Sequence, residues 1–185
     1  NDMGSALVDY SLTILGGDQI RVERQPMDVA KMVRDVVAEV GARYPGYVID
    51  AETHGELHGD WDCDRLTQAL TNLVGNAVQH GAKESPIAVV ARGTTDEVAI
   101  SVRNRGQVIP AENLAHIFEP GVRLESDRRH DEGHLGLGLF IVDRIVAAHD
   151  GTIDVRSSER EGTVFTMHLR RRDEPAAARI SSRER

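Results

Sequence analysis

The sequence predicts a two-layer α/β sandwich, with helices packed on one mixed sheet. Three observations carry that prediction. Segments with apolar residues at helical spacing alternate with short segments of strand period, paired strands close on short polar turns, and an apolar helix bounded by glycines precedes a last hairpin. At 185 residues and 40% hydrophobic composition, the chain can bury one good core with a short appendage, so one domain is expected.

Residues 5–15 place Leu7, Val8, Leu12 and Leu15 on one helical face, and Gly16 and Gly17 end the run. Residues 1–18 thus read as a leading helix and linker, ahead of a domain over 19–171. The stretch IRVERQP from Ile20 alternates and is expected to be a strand ending before Pro26. MDVAKMVRDVVAEVGARYP carries Val29, Met32, Val33, Val36, Val37 and Val40 on one stripe and is an amphipathic helix. YVIDAET and a short piece near Leu57 read as strands.

A helix over 64–80 follows, with Asp62 as N-cap and Gly81 as the residue just past its end. IAVVARG and VAISVRN form a hairpin through Thr94, Thr95 and Asp96. A short helix is expected over 110–118. Residues 121–133 are polar, basic and aperiodic, the length of loop usually kept for lids. An apolar helix over 136–149 is closed by Gly151, and GTIDVRSS with GTVFTMHLR makes the final hairpin. Residues 172–185, charged and rich in Pro, Ala and Ser, read as a mobile tail.

Composition narrows the function. A net charge of -8 disfavours a nucleic-acid or anionic-membrane surface, which needs concentrated positive charge. Cys63 is the only cysteine, so there is no internal disulfide and no thiolate zinc cluster, and a cytoplasmic setting is expected. The eight histidines are scattered, with no paired helical ligand motif. No apolar run approaches the roughly 20 residues that span a bilayer, so no membrane contact by this chain is expected.

The segment LTNLVGNAVQHG poses the main question, because an otherwise buried helix carries Asn72, Asn76, Gln79 and His80. Leu66, Ala69, Leu70, Leu73 and Ala77 share the core face, and the four polar residues fall on an adjoining stripe. A solvated polar edge is the plain explanation. The floor of a cleft fits four such residues better, since an amide oxygen binds hard cations and His80 can donate to a phosphate oxygen.

EGHLGLGLFIV supplies the other wall. Gly133, Gly136 and Gly138 lie where a helix begins, so free backbone N–H groups and the positive helix end meet an anion there. Glycines before a helix also serve close packing, and this is neither a Walker sequence nor a dinucleotide fingerprint. Between the two walls, ISVRNRGQVIPAENLAHIFEP runs a strand into Asn104, Gly106 and Ile109, which offer one hydrogen-bonding side chain and an apolar patch to a flat base. A strand with an ordinary turn is the alternative.

In this order the segments resemble the boxes of the catalytic, ATP-binding domain of sensor histidine kinases. WDCDRLTQALTNLVGNAVQHG resembles the asparagine box, VRNRGQVIP the first glycine box, IFEP the phenylalanine box, GHLGLGL the second glycine box and GTVFTMHL the last strand. VxNxGxxIP is similar to the branch of bacterial phytochrome kinases.

The resemblance implies a Bergerat ATP-binding fold, with a mainly antiparallel mixed sheet and an ATP lid over 121–133, and ATP and Mg2+ as cofactors. It assigns the magnesium to Asn76, support of that site to Asn72, and a phosphate contact to His80. Gly133, Gly136, Leu137 and Gly138 belong to the phosphate wall, where Gly136 and Gly138 bring backbone amides. Asn104 faces the adenine amine with Thr163 behind it through a water, Gly106 and Ile109 line the base, and Arg123 reaches phosphate when the lid closes.

Departures from the family are plain. Asn104 replaces the usual Asp and Val108 a glycine; Gln79 replaces a basic residue in the ATP site, and Gly121 replaces the second aromatic of the phenylalanine box. Relatives that hydrolyse ATP carry a Glu four residues before the magnesium Asn, where this chain has Asn72, an amide that cannot act as a general base. Phosphoryl transfer to a histidine of a dimerisation domain absent from this chain is therefore expected, residues 5–15 being the end of that domain's hairpin. A response regulator downstream and a homodimeric parent are implied. Anti-sigma-type serine kinases and a degenerate nucleotide-binding or interaction module are the alternatives.

Overall fold

The computed structural model describes residues 20–122 and 136–171. The expected leading helix at 5–15, the tail at 172–185 and most of the loop at 121–133, including Arg123 and Gly133, lie outside the described residues. The elements in chain order are β1 (Gln25–Asp28), α1 (Val29–Arg43), β2 (Ile49–Gly55), β3 (His58–Trp61) and α2 (Cys63–His80). They continue with β4 (Ile87–Gly93), β5 (Glu97–Asn104), α3 (Ala111–Leu114), α4 (Gly138–Ala148), β6 (Thr152–Ser158) and β7 (Gly162–Arg170).

Five strands form one sheet in the order β2-β4-β5-β7-β6. The β2–β4 pair is parallel and the others are antiparallel, which is the mixed, mainly antiparallel sheet expected. Helices α1, α2 and α4 cover one face. Their buried residues, among them Val33, Val36, Leu66, Leu70, Leu73, Ile141 and Ile145, interleave with Val89, Ile100, Val102, Phe165, Met167 and Leu169 of the strands. Each large apolar side chain buried this way contributes roughly 1.5–3 kcal/mol.

The strand expected from Ile20 to before Pro26 is displaced. β1 starts at Gln25, passes through Pro26 and pairs only with β3, so it has a free edge on which a residue without an N–H is tolerated. The stretch before it is held by side chains. Glu23 N–H donates to Asp62 Oδ2 at 2.9 Å, and the Arg24 guanidinium meets Asp150 Oδ2 at 2.7 Å. Beyond β7, Arg171 donates to the carbonyls of His58 and Glu56 and stacks 5.9 Å from the centroid of the buried Trp61 ring, which ties the small sheet to the large one.

Two helix ends differ from expectation. Gly81 has φ -80°, so it is not a left-handed cap; it forms an antiparallel bridge with Gly106. Close approach is what requires glycine here. A Cβ on Gly81 would lie 2.3 Å from Ala77 O, and one on Gly106 would lie 2.1 Å from His80 O. At the end of α4 the left-handed residue is Asp150, with φ 59°, and not Gly151. Asp150 N–H donates to Ala147 O and Gly151 N–H to Val146 O, both at 3.0 Å, which is the Schellman pattern closed by an aspartate that Arg24 holds.

His149 joins two helices. Its fully buried ring accepts from Asp62 N–H at Nε2, 3.1 Å, so the proton sits on Nδ1, which donates to Ile145 O at 2.8 Å. Burial lowers its pKa below the ordinary 6.5, against the opposing pull of the Ile145 carbonyl, with Arg24 also lowering it and Asp62 and Asp150 raising it. The unfolded chain therefore takes up this proton more readily than the folded one. Its contribution to stability is full above about pH 6.5 and is lost as pH falls from there toward the lower folded value.

Two outcomes follow. The urea midpoint should fall between pH 7.5 and pH 5.5, and His149→Gln, less stable at pH 7.5, should show a smaller fall; parallel curves for the two proteins would remove His149 from the account. Gly106→Ala should lower stability by about 1–3 kcal/mol, because the added methyl drives the β5 exit off the end of α2. A urea denaturation series checks it.

Candidate functional site

The amides of α2 have a fixed address because the helix is well determined at both ends. Asp62 Oδ1 accepts from Arg65 N–H at 3.1 Å at its start, and the Gly81–Gly106 bridge locks its end. Val74 and Val78 are buried with the rest of the apolar stripe, which leaves Asn72, Asn76 and His80, four residues apart, on one half-buried line. Gln79 is exposed and stands outside this line.

Asn72 Nδ2 reaches Gly138 O at 3.5 Å, a long contact that nonetheless places the amide row of α2 beside the start of α4. That start is built unlike those of α1 and α2. Asp28 and Asp62 cap the latter two, whereas Leu137 opens α4 with no side-chain hydrogen bond, and the first turn has no acidic residue. Gly136 turns into the helix at φ 66°, a conformation that suits glycine, and its carbonyl accepts from Gly121 N–H at 3.3 Å. A Cβ on Gly138 would meet nothing within 4 Å. Among the described residues nothing fills the space beside Gly138 at the positive end of this helix, a setting that suits an anion.

The base end of the predicted site is also assembled. Asn104 and Thr163 are direct partners across β5 and β7, with 3% and 5% exposure. Asn104 Cβ lies 3.5 Å from a Cβ built on Gly81, so the pair sits by the end of α2. Gly106 is in contact with His80 O by the same measure, and Ile109 is half-buried against the core. Phe118 of the phenylalanine box meets Phe165 edge to face, with centroids 6.2 Å apart, and anchors the segment that leads to residue 121.

Ser157 is the residue the sequence reading did not name. Its Oγ accepts from Ile109 N–H at 2.9 Å and lies 2.8 Å from Thr163 Oγ1. The available signal was the alternation Ile153, Val155, Ser157, which puts a hydroxyl on the core face of β6 opposite Thr163. Arg123 and Gly133 lie outside the described residues.

A cation at this site has few protein ligands to call on. No group of three or more His, Cys, Asp or Glu among the described residues could hold a metal. Asn76, half-buried and with no side-chain hydrogen bond to a described residue, has a free carboxamide oxygen, which fits a magnesium ion whose other ligands are phosphate oxygens and water. No helix among the described residues is long and apolar enough to cross a membrane.

Comparison with known proteins agrees with this geometry. The family of histidine kinase-, DNA gyrase B- and HSP90-like ATPases matches residues 61–173. The bacteriophytochrome of Pseudomonas aeruginosa is 35% identical over 82% of this chain and 21% of its own length. The signal transduction histidine-protein kinase AfsQ2 of Streptomyces coelicolor is 32% identical over 83% of this chain and 28% of its own. The chain therefore spans well under a third of these relatives.

Among solved structures, the nucleotide-free catalytic domain of the histidine kinase ThkA has a TM-score of 0.67 at 25% identity, over 80% of this chain and 97% of that one. Full-length ShkA in complex with AMPPNP has a TM-score of 0.74 at 26% identity, over 90% of this chain and 35% of that one. With a family match over more than half of its residues, the chain belongs to the histidine kinase-, DNA gyrase B- and HSP90-like ATPases, beside the catalytic domains of sensor histidine kinases.

Proposed function

We propose that this chain binds Mg-ATP and presents its γ-phosphate to a histidine on a dimerisation domain outside the chain, as the catalytic domain of a two-component sensor kinase. One observation carries the proposal: the uncapped, glycine-lined start of α4 is held beside the amide row of α2 by the Asn72–Gly138 contact. An anion bound there would have backbone N–H groups on one side and Asn76 and His80 on the other.

In this reading Asn76 Oδ1 ligates the magnesium, Asn72 steadies the wall, and His80 donates to a phosphate oxygen. Gly136, Leu137 and Gly138 contribute the backbone of the phosphate wall, while Asn104, Gly106, Ile109 and Thr163 receive the base. Arg123 and Gly133 are assigned to the lid, and Gln79, exposed, removes a charge that relatives carry. The magnesium supplies neutralisation of charge on the phosphates.

The chain has no carboxylate at position 72 to activate water, so its residues bind and orient the triphosphate, and transfer waits for an acceptor nitrogen held in line. The parent is proposed to be a cytoplasmic-facing homodimer that passes the phosphoryl group to a response regulator. The AMPPNP complex of ShkA and the sensor-kinase relatives support this reading.

Asn76→Ala should weaken magnesium-dependent ADP binding by at least about 10-fold while stability stays within about 0.5 kcal/mol, because the side chain lies off the core face. Calorimetric titration with and without magnesium checks the first part and urea denaturation the second; unchanged affinity would refute the metal assignment. The chain alone should turn ATP over very slowly, and adding a dimerisation hairpin that carries the acceptor histidine should give acid-labile phosphohistidine from γ-labelled ATP. Rapid hydrolysis by the chain alone, or acid-stable label on a partner's serine, would place it with the ATPases or serine kinases instead.

A further inference from the structure

Three polar side chains form one row across three strands. Asn104 pairs with Thr163 between β5 and β7, and Thr163 pairs with Ser157 between β7 and β6, all on the helix-covered face. The neighbouring row on that face, Val102, Phe165 and Val155, is apolar. The polar row therefore stands at the end of the core, with Asn104 beside Gly81 where α2 ends.

Asn104 is 3% exposed, its carboxamide makes no hydrogen bond to a described residue, and its polar atoms are not among the fully buried ones, so its remaining exposure includes the carboxamide. A nearly covered carboxamide without protein partners has its hydrogen bonds completed by a ligand or water. No protein partner among the described residues fixes which end of it, the Oδ1 acceptor or the Nδ2 donor, is turned toward a ligand. A carboxylate at this position would offer acceptors only.

Thr163 is ambivalent in the same way. Ser157 Oγ accepts from Ile109 N–H at 2.9 Å, and its 2.8 Å contact with Thr163 Oγ1 can run in either direction. When Ser157 donates, the Thr163 proton is available to a ligand. When Thr163 donates to Ser157, its own lone pair is available.

A 6-aminopurine offers a donor at N6 and an acceptor at N1, whereas a 6-oxopurine offers an acceptor at O6 and a donor at N1. The two edges are inverses of each other. We propose that the base end of this site takes 6-oxopurine nucleotides as well as 6-aminopurine ones, because Asn104 and Thr163 can invert together to match either edge. The inference rests on the nucleotide-binding reading above and adds a base tolerance to it.

The test is calorimetric titration of the full chain with ADP and with inosine diphosphate, each with magnesium, since the two differ only along the N1–C6 edge. The expected result is that the two affinities lie within about 10-fold, and that Asn104→Asp widens the gap to about 100-fold, because a carboxylate facing O6 leaves two acceptors unpaired. Inosine diphosphate binding more than about 10-fold weaker than ADP in the unsubstituted chain would overturn the base tolerance and leave the nucleotide site standing. An Asn104→Asp protein, folded by its thermal transition, that tolerates inosine diphosphate as well as the unsubstituted chain would also overturn it. If neither nucleotide bound, the nucleotide-binding reading itself would fail, and this inference with it.

Discussion

The proposed nucleotide site needs the axial register of α2 and α4 fixed, and the hydrogen bond from Asp62 N–H to His149 Nε2 fixes it. It joins the first residue of α2's cap to the last turn of α4, so the helices run antiparallel. The ten residues from Asp62 to Asn72 advance about 15 Å, close to the length of α4, which brings Asn72 to Gly138 at the other end. The buried imidazole has both nitrogens satisfied, and Asp62 also holds Glu23 and Arg65 through its carboxylate. The segment leading into β1, α2 and α4 thus meet at one residue.

Much of this was legible in sequence because it depends on period and local chemistry. The stripe Leu66, Leu70, Leu73, Ala77 and the cap Asp62 specify α2 without reference to anything distant. What failed depended on partners far along the chain. Asp150 takes the left-handed position because Arg24, 126 residues away, compensates it, and no local rule prefers aspartate to the glycine that follows. β1 begins at Gln25 because its partner β3 ends at Trp61, a matter of register.

The candidate site shows the same division. Its asparagines and glycines stood out because polar residues on a buried helix and glycines at a helix start are locally anomalous. Ser157 did not, since a serine in a strand near a turn is ordinary; only the pairing of β6 with β7 gives it Thr163 as a neighbour. Most of the loop over 121–133, where a lid is expected, lies outside the described residues.

Gly106 and Gly138 stand in opposite steric settings among the described residues. Gly106 is wedged against His80 O, so packing alone accounts for it, and an alanine there is punished whether or not the domain binds anything. Gly138 differs, since a Cβ on it would meet nothing within 4 Å. Glycine at a helix start costs backbone entropy relative to other residues and returns no contact here. On the proposed nucleotide reading, a side chain at 138 would project toward the start of α4, where the phosphates approach the backbone. Among the described residues nothing requires glycine at 138 on steric grounds, and the nucleotide-binding reading proposed above gives that space an occupant.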